Sequence, residues 1–177
     1  RYGRMARSPF AFFRGAAALM AADLAPAQST GQIVQACGDC HLLNFGAFAT
    51  PERRIIADIN DFDETHPAPW EWDLKRLAAS YAIASRHNGH SRADARAAVQ
   101  SAVLAYADKM SELAKMPTLQ AWYESVDIDQ AIGAFGDDKV QRRAQEMRKK
   151  AEARGADVEF VKLACTAGSV PRIRDTP

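Results

Sequence analysis

The chain has 177 residues, of which 47% are hydrophobic and 25% are charged, a globular composition that excludes global disorder. Its 23 basic and 22 acidic residues give a formal net charge of +1, so charge gives no reason to propose nucleic acid or a membrane surface as a partner. No run of about 18 apolar residues occurs, and no transmembrane helix is predicted.

Cysteine usage and the first residue bear on location and completeness. Three cysteines, Cys37, Cys40 and Cys165, are odd in number and do not make a disulfide framework. With no signal peptide in sight, they favour the reducing cytoplasm. The chain begins with Arg1 rather than Met, so we expect it to be a piece of a longer protein.

The first part of the chain is predicted to hold one helix and two short strands. The helix covers 8–25, with Ser8 as its N-cap, Pro9 as its first residue and an alanine-rich second half. Apolar runs predict strands and polar stretches predict loops, in the order strand 33–37, loop 38–46, strand 53–60 and loop 61–69.

After residue 69 the chain is predicted to be mostly helical. One helix covers 70–87 and ends at the stop signal Asn88-Gly89, and the next begins at a capping box formed by Ser91 and Asp94. The remaining predictions are, in order, a helix end near 115, a short helix from 117, a helix at 127–135, an exposed polar helix or arm at 138–155, and a tail at 168–177.

Carboxylates and amides are concentrated in the two loops. If the two strands paired as a hairpin, Asp39, Asn44, Asp61 and Asp63 would converge at one edge. Convergent carboxylates repel one another, so such a site needs a cation, and oxygen ligands suit Mg²⁺ or Mn²⁺. The alternative is that these are ordinary loop residues that hydrogen-bond their own backbone.

The order of these residues matches the division of labour in kinase active sites. There an aspartate base is followed five positions later by an asparagine on one metal ion, and another aspartate after the next strand binds the metals. Asp39 and Asn44 have that spacing, and Asp61-Phe62-Asp63 follows the second predicted strand.

Four segments carry a resemblance to known families: Ser8–Gly15 (SPFAFFRG), Cys37–Gly46 (CGDCHLLNFG), Ile59–Thr65 (INDFDET) and Pro69–Ala78 (PWEWDLKRLA). Over nearly the whole chain they resemble the bacterial family called domain of unknown function 2252 (DUF2252). The motifs in turn resemble those of aminoglycoside phosphotransferases and related small-molecule kinases, which carry Gly-Asp-x-His-x-x-Asn, Asp-Phe-Asp and Tyr-Asp-Leu-Ala segments. Cys37 stands where those kinases often have a histidine.

The resemblance implies a role for each motif residue. By that resemblance Asp39 is the catalytic base, Asn44 is a metal ligand and Asp61 is the principal metal ligand. Asp63 is an auxiliary metal ligand, and Asp73 braces the backbone of the catalytic loop. We also expect His41 and Arg14 to brace the loop, although Arg14 could instead contact a phosphate.

A nucleotide clamp is missing from the sequence. No Gly-x-Gly occurs, and no strand lysine follows a glycine-rich turn, whereas a kinase needs both to hold ATP. We expect the chain to be the catalytic and metal half of an ATP-dependent enzyme, inactive alone and able to self-associate through exposed apolar surface.

Other interpretations of the first loop remain open. Cys37, Cys40 and His41 match the C-x-x-C-H pattern of c-type haem attachment, or three ligands of a zinc site that lacks an evident fourth. The chain could also be a pseudokinase-like binding module without catalysis. These alternatives stand beside the main prediction, which is metal-dependent phosphoryl transfer from ATP to a small-molecule hydroxyl.

The predicted fold class is α+β and mostly helical. A small β-hairpin carries the catalytic loop on a helical bundle, and residues 1–167 resemble the C-terminal lobe of a kinase-like fold. We expect residues 168–177 to be a tail that leads to a second half absent from this sequence.

Overall fold

A computed structural model describes residues 2–52, 54–128, 141–142, 145–146, 148–149, 164–167 and 170–173. Helices predominate over small antiparallel sheets, so the α+β class predicted from the sequence is confirmed. The chain divides into two compact units, the first made of Arg1–Gly46 with Ile59–Glu124 and the second of Ala47–Asp58 with Ser125–Pro177. Among the described residues, no helix has the length and apolar character needed to cross a membrane.

The helices and strands follow one another in this order: α1 (Tyr2–Met5), α2 (Pro9–Arg14), α3 (Ala17–Leu24), β1 (Ile33–Ala36), a 3₁₀ turn (Leu42–Asn44), β2 (Phe45–Ala49), β3 (Ile55–Ile59), β4 (His66–Pro69), α4 (Glu71–His87), α5 (Arg92–Leu113), α6 (Thr118–Trp122), β5 (Val126–Asp127), β6 (Ala164–Ala167) and β7 (Val170–Ile173). Within the described residues these strands form three small sheets, with the strand orders β1–β4, β2–β3–β5 and β6–β7.

The single helix predicted at 8–25 is divided into α2 and α3. The predicted start is confirmed, since the Ser8 hydroxyl accepts a hydrogen bond from the Ala11 amide at 3.1 Å and Pro9 is the first helical residue. The division occurs at Gly15, whose amide donates to the Phe12 carbonyl and caps α2. A Cβ at Gly15 would collide with the side chain of Met5, the last residue of α1, so α1 lies close to the end of α2.

The hairpin predicted between 33–37 and 53–60 is wrong. Both strands exist, but β1 pairs antiparallel with β4, while β3 lies between β2 and β5. The residues of β2 were predicted partly as loop, because Phe45–Ala49 is short and its two phenylalanines are separated by Gly and Ala. The hairpin that forms is β2–β3, and it starts directly after Asn44.

A strand also lies in the loop predicted at 61–69. Its two prolines lower the β-propensity of β4, but Pro67 and Pro69 face Gln35 and Ile33 in a sheet of only two strands. Every strand of such a sheet is an edge strand, and edge positions tolerate a residue without an amide hydrogen. The pairing of β1 with β4 brings the loop after β1 next to the start of α4.

The helices α4 and α5 pack against each other and form the body of the first unit. The predicted helix bounds are confirmed, including the stop at Asn88-Gly89, where Gly89 has a φ of 77°. Near the start of α4 the Trp70 ring stacks on Tyr106 of α5, with centroids 5.7 Å apart and planes at 9°. This contact fixes the end of α4 that carries the candidate site.

The capping box at the start of α5 gives a stability prediction. The Ser91 hydroxyl accepts from the Asp94 amide, and the Asp94 carboxylate accepts from the Ser91 amide. Replacing Ser91 with alanine removes this cap, so the free energy of unfolding should fall by about 1 kcal/mol. Urea denaturation measures the change, and Ser101→Ala, on an exposed part of α5, is the matched control. Equal midpoints for the two variants would contradict the prediction.

In the second unit the structure departs from the sequence prediction at two places and agrees with it at a third. The helix predicted at 127–135 begins instead as strand β5 at Val126–Asp127, and residues 129–135 lie outside the described residues. The described residues between 138 and 155 are helical, in keeping with the polar helix expected there. The tail predicted from 168 contains β7, which pairs antiparallel with β6.

Candidate functional site

The loop between β1 and β2, residues 37–44, turns sharply at its second residue. Gly38 has a φ of 83°, a left-handed conformation that favours glycine. A Cβ there would also collide with the carbonyl oxygen of Glu64. Gly38 therefore allows the loop to approach the segment that leads into β4, and both reasons require glycine at this position.

Asp73 holds the beginning of this loop. It lies in the first turn of α4, and its two carboxylate oxygens accept hydrogen bonds from the backbone amides of Cys37 at 2.7 Å and Gly38 at 3.1 Å. Bonds from amides to a carboxylate are stronger than those between neutral groups. This is the contact expected of a residue that braces the loop backbone.

Asn44 joins the two loops that the sequence analysis singled out. It is 4% exposed, and its side-chain amide donates to the carbonyl oxygens of Asp39 and Asp61, each at 3.1 Å. Its Oδ1 accepts from the Asp61 amide at 3.0 Å. Asn44 therefore links the backbones of the two loops at the base of the β2–β3 hairpin, and the convergence of the four side chains stays a prediction.

The Asp39 carboxylate is engaged by two side chains. Oδ1 accepts from Arg76, at 2.7 Å from Nε and also from Nη2, and Oδ2 lies 3.4 Å from Nε2 of His41. Burial raises the pKa of this carboxyl, but the hydrogen bonds and charges of His41 and Arg76 outweigh burial and hold the pKa below its ordinary value. Asp39 is therefore a carboxylate at neutral pH.

Arg76 is a residue of the candidate site to which the motif reasoning gave no role. It is 2% exposed, its guanidinium lies 4.3 Å from the centroid of the Phe13 ring, and Nη2 donates to the Phe13 carbonyl at 2.8 Å. Arg14, which was expected to brace the loop, is exposed and has no hydrogen bond or ion pair within the described part of the chain. Its neighbour Phe13 faces the site in its place, because the α2 helix turns Arg14 outward.

His41 is fixed in one tautomer by its partners. Its Nδ1 accepts from the Leu43 amide at 3.1 Å, so the proton of the neutral ring lies on Nε2 and points to Asp39. The ring packs edge-on against Phe10, with centroids 6.1 Å apart. His41 therefore acts from both nitrogens on the loop, as a brace would.

Ser80 of α4 is a second brace that the motif reasoning did not identify. Its hydroxyl is fully buried, donates to the Leu77 carbonyl at 2.7 Å and accepts from the Leu42 amide at 3.1 Å. Asp73, Arg76 and Ser80 recur every three to four residues, so one face of α4 meets the loop. That spacing was the available sequence signal.

Asp61 and Asp63 lie at the surface, after β3. Both are exposed, and Oδ1 of Asp61 accepts from the Asp63 amide at 3.1 Å, which forms a local turn. Within the described segments, no three His, Cys, Asp or Glu side chains are grouped closely enough to hold a metal ion. Two exposed carboxylates fit the kind of magnesium site that bound phosphates and water complete, whereas Asn44, with its amide engaged on backbone groups, does not fit as a ligand.

Comparisons with known proteins identify the family. A family described as uncharacterized proteins conserved in bacteria, DUF2252, matches residues 1–177. The chain belongs to the DUF2252 family. No curated protein and no solved structure matches it. The resemblance to DUF2252 is thus confirmed, and the kinase-like resemblance of its motifs stays a prediction.

The zinc interpretation does not fit this DUF2252 loop, and c-type haem attachment, which forms thioethers and uses only the histidine as an iron ligand, stays an alternative that the loop does not favour. Cys37 and Cys40 are buried free thiols, and metal ligation requires the thiolate. Burial raises the pKa of Cys37 and raises that of Cys40 to about 12. Both ring nitrogens of His41 already have protein partners, so this histidine has none free for a metal.

The same thiols give a chemical prediction. Both thiols are buried and have raised pKa values. At neutral pH the rate at which iodoacetamide alkylates Cys37 and Cys40 should therefore be at least about 100-fold lower in the folded DUF2252 chain than in the urea-unfolded one. Site-resolved mass spectrometry against time measures the two rates. Equal rates for the folded and unfolded protein would show that the thiols are accessible and reactive.

Proposed function

We propose that this chain carries the catalytic loop of a metal-dependent phosphotransferase, which transfers a phosphoryl group from ATP to a small-molecule hydroxyl. The observation that carries the proposal is the set of bonds made by Asn44. One buried amide ties the backbone of Asp39 to that of Asp61. Phosphoryl transfer depends mainly on such positioning, because the protein contributes little covalent chemistry.

In this proposal Asp39 receives the acceptor hydroxyl through Oδ2. Oδ1 is occupied by Arg76, whereas among the described residues Oδ2 has only the contact with His41 at 3.4 Å, longer than a good hydrogen bond. The low pKa of Asp39 keeps this oxygen ionised and able to accept a hydrogen bond. Arg76 and His41 then orient the carboxylate, and the substrate hydroxyl donates toward Oδ2.

Asp61 and Asp63 are the residues that would hold Mg²⁺ or Mn²⁺, together with phosphate oxygens of the nucleotide. The bound ion would neutralise negative charge on the phosphoryl group during transfer. Asn44 has a different role from the one implied by the motif: it positions the Asp61 backbone and ligates nothing.

The test is nucleotide turnover by the full-length protein, not by this chain alone, with ATP and either metal ion. Asp39→Asn keeps the side-chain shape and a hydrogen-bond acceptor for Arg76, and it should lower turnover about 100-fold or more. Asp61→Ala should raise the metal concentration needed for half-maximal turnover. Asp108→Asn, an exposed position on α5, is the matched control and should change neither quantity.

Two outcomes would overturn the enzymatic proposal. One is the absence of nucleotide hydrolysis and transfer with both metal ions. The other is an Asp39→Asn variant that turns over at the wild-type rate.

A non-catalytic binding module is the second candidate, and the ion pair of Asp39 with Arg76 favours it. A general base held by a buried guanidinium has a lowered proton affinity, and a loop so firmly fixed can serve as a scaffold alone. This candidate predicts that the intact protein binds nucleotide or metal without turnover. It also predicts that Asp39→Asn leaves the affinity for both unchanged.

A further inference from the structure

A pocket of about 310 Å³ lies in the first unit, beside the loop after β1. Its walls come from α3, the loop at Gly38, Glu64 just before β4, His66 in β4, and Trp72 and Arg76 near the start of α4. The volume is at the lower end of the range for small-molecule sites. It holds a compound with one ring or a short aliphatic chain.

The shape of the pocket follows from the sequence of α3. Ala17, Ala18 and Ala21 present only methyl groups, so the helix leaves space opposite Trp72 that larger residues would fill. Trp72 is held in place by His66, whose ring centroid lies 6.0 Å from that of the tryptophan. An apolar wall of methyl groups facing an aromatic wall suits a flat or slender apolar ligand.

Among the described residues, two charged ones line the pocket, Arg76 and Glu64, and the ion pair of Arg76 with Asp39 leaves a net negative charge there. Arg76 lines the pocket, but its charge is balanced by Asp39, and its Nη1 faces the sulfur of Met20 at 3.5 Å. Glu64 is exposed and has no ion-pair partner among the described residues. Glu64 is therefore the charged residue of the described lining whose charge has no ion-pair partner.

His66 adds an acceptor and no charge of its own when neutral. Its Nδ1 lies 2.8 Å from the carbonyl oxygen of Glu64, which can only accept, so the proton of the ring lies on Nδ1. Nε2 of the neutral ring is then free to accept from a ligand. With Glu64, this gives the pocket two acceptors for a ligand that donates hydrogen bonds.

We propose that this pocket binds a small organic amine, with its apolar body between α3 and Trp72 and its ammonium group toward Glu64. The carboxylate attracts the positive charge, and the Trp72 face favours a cation near it. An anionic ligand of the same size would meet Glu64 without a free counter-charge. The inference does not depend on phosphoryl transfer, since it concerns binding alone.

Phenethylamine is the probe, compared with 2-phenylethanol as its neutral analogue and phenylacetate as its anionic analogue. Ligand-observed NMR titrations of the intact protein give the three affinities without nucleotide or metal. The affinity for phenethylamine should be at least about fivefold higher than that for 2-phenylethanol, and phenylacetate should bind most weakly of the three. Phenylacetate binding as tightly as the amine, or no binding of the amine, would overturn the proposal.

Two pairs of variants locate the site. Glu64→Gln should weaken phenethylamine about fivefold and leave 2-phenylethanol unchanged, while Asp23→Asn, an exposed acid on α3 outside the pocket, should change neither. Ala21→Phe should fill the pocket and abolish binding of both, and Ala22→Phe, on the exposed side of α3, is its control. Wild-type affinity for the amine in Ala21→Phe or in Glu64→Gln would overturn the assignment, whether or not the protein transfers phosphate.

Discussion

Replacing Arg76 with methionine should lower the free energy of unfolding by about 3–5 kcal/mol, the cost of leaving one partner of a buried ion pair alone. Arg76 is 2% exposed and supports the Asp39 carboxylate and the Phe13 carbonyl at once. Both acceptors lose their donor in the variant. Urea unfolding followed by circular dichroism measures the loss, with Arg86→Met at the exposed end of α4 as the matched control.

A double-mutant cycle separates the ion pair from the rest of the effect. If Asp39→Leu is added to Arg76→Met, the stranded carboxylate disappears, so the double variant should be more stable than the sum of the single losses predicts. Strict additivity of the two losses would show that the pair is not energetically coupled.

The pH dependence of this coupling has a definite sign. The pKa of Asp39 in the folded state is lowered from the ordinary 3.8, so its ionised form is stabilised by folding. The contribution is therefore complete above about pH 5 and is lost as pH falls through the folded pKa. Repeating the double-mutant cycle at acid pH should give a coupling energy that declines only below about pH 4. A coupling energy that is largest at acid pH would contradict the assignment of the carboxylate as the stabilised form.

The parts of the fold that the sequence predicted are those with local causes. Ser8 and Pro9 start α2, and the Ser91–Asp94 box starts α5, because each cap is made by residues three positions apart or fewer. Gly89 ends the preceding helix for the same kind of reason. Such signals need no knowledge of tertiary contacts.

The errors concern pairings between distant residues. Nothing in the apolar run at β1 distinguishes β3 from β4 as its partner, and the prolines of β4 argued against a strand there. At Gly15, where α2 ends, a Cβ would collide with the Met5 side chain, a contact that the pattern of 8–25 alone does not reveal. Hydrophobic periodicity and secondary-structure propensity describe each segment alone, so they do not predict which strand pairs with which.

The residues of the candidate site also fall into those that the sequence predicts and those that only the tertiary structure reveals. Asp39, Asn44 and Asp61 could be picked out because their spacing matches a known division of labour, although the hairpin expected to unite them was the wrong one. Arg76 could not be picked out, since a basic residue in a helix is usually exposed. Its importance follows from the geometry of the loop, where a buried carboxylate needs a donor within reach.

Asp73 offers the sharpest test of what holds this loop. Its carboxylate accepts from two consecutive amides, so Asp73→Asn replaces one acceptor oxygen by an NH₂ group that faces an amide hydrogen. We expect the free energy of unfolding to fall by about 2–4 kcal/mol, because one buried donor loses its partner and a charge-assisted bond becomes neutral. Urea denaturation measures the total, with Asp108→Asn as the control for loss of an exposed aspartate.

Hydrogen exchange locates the effect of the same substitution. The Cys37 and Gly38 amides should exchange about 30-fold faster or more in Asp73→Asn than in the wild type, because their acceptor is weakened. The Ala95 amide, which donates to the Ser91 carbonyl at the start of α5, should exchange more nearly as before. A uniform increase at all three amides would mean that Asp73 supports the whole unit. Unchanged exchange at Cys37 and Gly38 would mean that the loop does not depend on Asp73, and the bracing role would have to be given up.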